Sequence, residues 1–199
     1  MWKLDAAKSA LIVVDMQNDF VLEGAPMEVP NARKAIGHIQ RLIAASRKLD
    51  IPVFFTKHTL LEDAFNSPLE AEYNPKLFDV GMRKGTPGWD VIDDLKPEPE
   101  DTQIEKYRYN AFHNTLLEPT LRTIRGLNRL DTVIITGTLT EVCCDSTARG
   151  AFMRDFKVAF IDDATGGLSQ RAEDATFDAM GKFFGRVLHT DDALAELGA

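Results

Sequence analysis

The sequence predicts an α/β fold, a mainly parallel six-stranded sheet with helices on both faces, and three observations carry that prediction. Short β-branched runs alternate along the chain with longer stretches of helical period. Two of these runs, residues 10–14 and 133–135, are apolar at every position, as in strands buried on both faces. Each run hands over to a polar or glycine-bearing turn, and strand–helix–strand crossovers of one hand make the sheet parallel.

In chain order, residues 10–14 form the first strand, and Asp15 stands at its carboxyl tip. A carboxylate directly after buried aliphatic residues is costly unless it is paired or working, which makes Asp15 a candidate functional residue. Residues 31–49 read as a helix capped by Asn31, with Ala35, Ile39, Leu42, Ser46 and Leu49 along one face. Residues 51–56 are the second strand, where Pro52 is tolerated at the start. Residues 57–101 carry five prolines and little periodicity, the character of a long loop or lid that builds a pocket wall. Within it, Trp89 can line a pocket. His58 has no partner at ligand spacing, so no metal site is expected.

Residues 102–106 read as a third strand ending in Lys106. A helix then runs to about Arg125, starting at Thr115 or Pro119, and stops at Gly126. Residues 131–136 are the fourth strand, which exits at Gly137. Thr140 is the expected N-cap of the next helix, so Cys143 falls at N3, among free amides that favour a thiolate. Cys144 points elsewhere, as a packing residue. Residues 157–161 and 187–188 supply the last strands, and residues 171–184 and 191–197 the last helices.

With 199 residues, 44% of them hydrophobic, the chain is long enough for one sizeable core and is expected to be one domain, 1–199. Its formal net charge of -8 argues against nucleic acid or an anionic membrane as partner. No apolar run reaches the roughly 18 residues of a membrane span. The opening residues lack a signal-peptide core, so a cytoplasmic protein is expected. The two cysteines are adjacent, which disfavours a structural disulfide or a redox pair.

Asp15, Lys106 and Cys143 thus lie at the carboxyl ends of three strands, on one edge of the sheet, where α/β proteins bind ligands. The residues around them resemble the isochorismatase-like superfamily of cysteine hydrolases. The resemblance rests on Val13-Val14-Asp15-Met16-Gln17-Asn18-Asp19-Phe20, on Glu105-Lys106 with Ala111-Phe112 behind it, and on Gly137-Thr138-Leu139-Thr140-Glu141-Val142-Cys143 running into Ser146-Thr147-Ala148-Arg149. It implies a three-layer α/β/α, Rossmann-like fold with strand order 3-2-1-4-5-6, homodimers or homotetramers, and a cis peptide joining Thr138 to Leu139. It also implies an Asp15, Lys106, Cys143 triad with no cofactor.

Chemically, Cys143 would attack a carbonyl carbon and Asp15 would carry its proton, with Lys106 keeping Asp15 ionised. The N–H groups of Leu139 and Cys143 would form the oxyanion hole. Gln17, Phe20, Trp89, Tyr107 and Thr138 are the candidate substrate-binding residues. The expected activity is hydrolysis of a non-peptide C–N bond in a small amide, ureide or carbamoyl compound, because residues 141–149 look closest to that branch. The alternatives are a nicotinamidase-type enzyme, an isochorismatase-type enzyme, or a silent metabolite-binding scaffold. Lys57-His58 does not reproduce the usual nicotinamidase metal cluster, and isochorismatases proper work without a cysteine nucleophile.

Overall fold

The computed structural model describes residues 2–61 and 68–199. Six strands form one all-parallel sheet in the order β3-β2-β1-β4-β5-β6. The strands are β1 (Ser9–Val14), β2 (Val53–His58), β3 (Thr102–Lys106), β4 (Thr132–Thr138), β5 (Lys157–Gly166) and β6 (Arg186–Leu188). The helices are α1 (Asn18–Val21), α2 (Ala32–Lys48), α3 (Pro68–Tyr73), α4 (Leu117–Thr123), α5 (Asp145–Phe152), α6 (Gln170–Phe183) and α7 (Thr190–Leu197). The chain builds outward from β1 to β3, then crosses to β4, which makes β1/β4 the topological switch point.

Alternation along the central strands divides the interior into two cores. Leu11, Val13, Phe55, Ile134 and Ile161 point to one face, against Ile39 and Leu42 of α2 and Ala193 of α7. Ala10, Ile12, Val14, Phe54, Ile135 and Phe160 point to the other, against Leu117 of α4, Ala148 and Ala151 of α5 and Met180 of α6. Successive strand side chains face opposite sides, so a wholly apolar strand requires a helix layer on each. Fully burying a residue such as Ile39 or Leu42 contributes about 1.5–3 kcal/mol.

Several boundaries differ from expectation. The helix after β3 begins at neither Thr115 nor Pro119 but at Leu117, because the Thr115 hydroxyl accepts the Leu117 N–H and turns the chain there. β5 runs on through Asp162 and Asp163 to Gly166. Asn31 flanks α2 without capping it, and its side chain instead approaches Glu173 of α6 at 3.5 Å. The segment 57–101 is more ordered than its composition suggests: α3 and turns at Pro75–Phe78, Pro87–Trp89 and Asp93–Leu95 break it up. Part of that expected loop, residues 62–67, lies outside the described residues. Among the described residues, no helix is long and apolar enough to cross a membrane.

Candidate active site

The strand ends at the switch point gather the three reactive side chains. Asp15 leaves β1 with φ +46°, a left-handed turn that aspartate tolerates better than most residues. Its Oδ1 accepts the Thr56 hydroxyl at 2.7 Å, which fixes the carboxylate against β2. The Lys106 ammonium, wholly buried, lies 2.7 Å from Asp15 Oδ2 and 3.6 Å from Cys143 Sγ. It also donates to the Arg108 carbonyl at 3.1 Å. Gly137 permits the approach of β4 to β1: its φ is +109°, and a Cβ there would lie 2.1 Å from the Val14 carbonyl oxygen. The Thr138–Leu139 peptide is cis.

The turn carrying Cys143 is not the α-helical N-terminus expected. Residues Thr140–Cys144 form a π-helical turn with Leu139 as N-cap, in which the Leu139 carbonyl accepts the Cys144 N–H at 2.9 Å. Thr140 is therefore inside the turn, its hydroxyl buried without a hydrogen-bond partner, and Cys143 is the fourth residue, not the third. Such wide turns recur at functional sites. Cys144 is fully buried, its sulfur turned to the Thr136 carbonyl, and serves packing.

Electrostatics also corrects the thiolate expectation. Burial pushes the Cys143 thiol well above its ordinary value, and the attraction of Lys106 only partly opposes this. For Lys106, burial acts to lower the pKa, but Asp15 and Cys143 together outweigh it and hold the ammonium above its ordinary value. The resting pair is thus a neutral thiol beside a buried carboxylate–ammonium pair, and forming the thiolate needs a local proton acceptor.

Cys143 opens into a cavity of ≈ 440 Å³. Phe20, Met27, Val29, Leu77, Leu139, Val142 and Leu168 give it apolar walls, and His58, Glu70 and Tyr109 make its polar end. Four expected substrate-binding residues are placed elsewhere. Gln17 spends its amide on backbone, donating to the carbonyls of His58 and Trp89 and accepting the His58 N–H at 2.7 Å. Trp89 donates to Thr59 Oγ1 at 2.9 Å, with Lys57 Nζ 3.1 Å above its ring. The Thr138 hydroxyl donates to the Gly166 carbonyl. Tyr107 faces a separate surface hollow with Leu61, Arg108, His113 and Asn114. Of the five, Phe20 is among the described residues that line the cavity.

The sequence reading weighed His58 only as a metal ligand and did not single out Glu70 or Tyr109. His58 Nδ1 lies 3.1 Å from Lys106 Nζ and its Nε2 3.2 Å from Glu70 Oε2. Burial, and then the Glu70 carboxylate, push the Tyr109 hydroxyl up to about 12, so it stays protonated. The signal available for His58 was its place at a strand's carboxyl end, the same that marked Asp15 and Lys106. Asp15, His58 and Cys143 each offer an atom within 4.8 Å of the others, a spacing that suits a metal. The Lys106 ammonium, in contact with all three, repels a second cation from that point.

Comparison with known proteins identifies the family. Residues 9–192 match the isochorismatase domain. A ureidoacrylate amidohydrolase of Variovorax paradoxus (strain S110) is 34% identical, over 95% of this chain and 81% of that protein. A cysteine hydrolase from Pseudomonas syringae pv. phaseolicola 1448A superposes with a TM-score of 0.92 at 26% identity, over 98% of this chain and 95% of that one. N-carbamoylsarcosine amidase from Thermoplasma acidophilum gives 0.77 at 26% identity, over 92% and 97%. With residues 9–192 of its 199 matched to that domain, this chain belongs to the isochorismatase family.

Proposed function

We propose that this protein is a cysteine-dependent amidohydrolase that cleaves a non-peptide C–N bond of a small amide, ureide or carbamoyl compound. The observation that carries the reading is the contact of one buried ammonium with both Asp15 Oδ2, at 2.7 Å, and Cys143 Sγ, at 3.6 Å, where Cys143 lines a cavity of mixed apolar and polar walls. Asp15 takes the Cys143 proton, and the sulfur forms a bond to the substrate carbonyl carbon. The oxygen that becomes negative is received by the N–H groups of Leu139 and Cys143, where losing one donor costs on the order of a hundredfold in rate. Collapse breaks the C–N bond as Asp15 returns its proton to the leaving nitrogen. Water, deprotonated by Asp15, then hydrolyses the thioester and regenerates the thiol. Lys106 keeps Asp15 ionised between steps.

The names of two relatives support the ureide and carbamoyl side of this class: a ureidoacrylate amidohydrolase and an N-carbamoylsarcosine amidase. A cytoplasmic homodimer or homotetramer belongs to the same reading. Its support is the exposed apolar group of Phe152, Met153 and Phe183 around one surface hollow, which light scattering would test.

The deciding experiment is ammonia release from a panel of carbamoyl, ureido, nicotinamide and aliphatic amides, with Cys143→Ala and Asp15→Asn beside the wild type. Turnover by the wild type that both variants lose by at least about a thousandfold, while each remains folded, supports the mechanism. Activity retained by Cys143→Ala would sink it, and inertness of the wild type toward every amide would favour the binding scaffold.

A further inference from the structure

The polar end of the Cys143 cavity is a line of contacts that starts at the sulfur. Lys106 Nζ lies 3.6 Å from Cys143 Sγ and 3.1 Å from His58 Nδ1, and His58 Nε2 lies 3.2 Å from Glu70 Oε2. Glu70 belongs to α3 and lines the cavity together with His58, Tyr109 and Cys143. Its charge reaches the reaction centre: after burial, the largest cause, Glu70 adds to the upward push on the Cys143 thiol.

Two donors orient that carboxylate. The Tyr109 hydroxyl, which keeps its proton, donates to it, and the imidazole turns an N–H toward it at Nε2 because Nδ1 faces an ammonium. An ionised carboxylate accepts and never donates, so a substrate group that meets Glu70 has to bring an N–H or a positive charge. Other acceptors around the sulfur are engaged within the protein. His58 Nδ1 faces Lys106, and Asp15 Oδ1 accepts the Thr56 hydroxyl. Glu28, the other carboxylate among the described residues of the wall, accepts from Arg33 and from the Gly24 N–H.

Resting on the amidohydrolase reading, we propose that Glu70 is a specificity-determining residue that accepts the N–H of the nitrogen retained on the acyl group. The preferred substrates are then ureides of the form R–NH–CO–NH2, ahead of carbon amides. Cys143 Sγ bonds to the ureide carbon, ammonia departs with the proton that Asp15 took from the thiol, and R–NH–CO–S remains on the enzyme. Water then breaks the C–S bond, giving R–NH–COOH and the free thiol. With the oxygen at the Leu139 and Cys143 N–H groups and the departing nitrogen beside Asp15, the retained nitrogen is the substituent that faces the cavity. A carbon amide sets CH2 at that position, and the carboxylate loses its hydrogen bond. A tertiary nitrogen brings a methyl group instead of the N–H. The assignment therefore separates the preference of this chain from that of the N-carbamoylsarcosine amidase on which it superposes.

The test measures kcat/KM for ammonia release from N-carbamoylglycine, N-carbamoylsarcosine and succinamate, which differ at that one position: NH, N–CH3 or CH2. Wild type is expected to favour N-carbamoylglycine by at least about tenfold over each of the others. In Glu70→Ala that preference should fall by about tenfold or more, toward unity. Tyr109→Phe keeps the carboxylate but removes a donor that orients it, and should lower the preference by a smaller factor. Equal rates on N-carbamoylglycine and succinamate in wild type overturn the assignment. So does a preference unchanged in Glu70→Ala with all three substrates slowed alike, because Glu70 would then act through His58 and Lys106 as a positioning residue. A wild type that hydrolyses none of the three but releases ammonia from another amide also overturns it, and leaves the amidohydrolase standing. Inertness toward every amide removes the amidohydrolase itself.

Discussion

The Lys106 ammonium stands 3.1 Å from Nδ1 of His58, and this contact sets the imidazole's tautomer. An ammonium has only donors, so Nδ1 accepts and the ring proton sits on Nε2, 3.2 Å from Glu70 Oε2. The same ammonium lies 2.7 Å from Asp15 Oδ2 and 3.6 Å from Cys143 Sγ, so His58 is a third buried partner of Lys106.

His58→Phe should therefore lower kcat by about tenfold to a hundredfold with a smaller change in KM, because Lys106 loses a buried acceptor that positions it. Steady-state ammonia release measures the split. A change confined to KM would mean that His58 contacts substrate and does not position Lys106.

Cys143 gives a prediction with a sign in both kinetics and stability. Because burial raises its thiol, thiolate near neutral pH arises by transfer to Asp15, so iodoacetamide should alkylate the wild type at least tenfold faster than Asp15→Asn. In the native state the thiol keeps its proton at pH values where the unfolded thiol has lost it. The folded form then binds more protons, and stability falls as pH rises above about 9. Denaturant midpoints for Cys143→Ala should decline less steeply over that range.

Gln17 should behave as a structural clamp. Gln17→Ala strips the buried His58 N–H of its acceptor, and about 2–4 kcal/mol of stability should be lost. Chemical denaturation measures this. An unchanged midpoint with a raised KM would return Gln17 to substrate binding.

Glu196 offers an acid-side test. The Arg186 guanidinium holds its carboxyl at about 2, below the ordinary 4.5, through contacts of 2.7 and 2.8 Å. A depressed carboxyl contributes stability above its unfolded pKa that is lost as pH falls toward the folded one. Glu196→Gln should thus cost about 2 kcal/mol near neutral pH and almost nothing at pH 2. A cost that stays constant between those limits would contradict the pairing.

Strands, their parallel pairing and the sheet edge that carries Asp15, Lys106 and Cys143 were legible because each depends on a local pattern: an apolar run, then a polar side chain at its end. Trp89 and Tyr107 do not line the Cys143 cavity, and in sequence an aromatic side chain shows no preference between a cavity wall and, as for Trp89, a cation's partner such as Lys57.

By itself the sequence determined the α/β class, the ends of β1 and β3, and the placing of Asp15, Lys106 and Cys143 at one edge of the sheet, since periodicity and strand-tip patterns act over a few neighbours. Only the tertiary structure decided the rest: that Thr140 lies within a π-helical turn, that the Gln17 amide bonds the backbone of His58 and Trp89, and that His58 links Lys106 to Glu70. Those outcomes depend on burial and on contacts between segments far apart in the chain. Burial in particular reversed the expected thiolate at Cys143, because removing water from a charge outweighs the partial charge of a helix end.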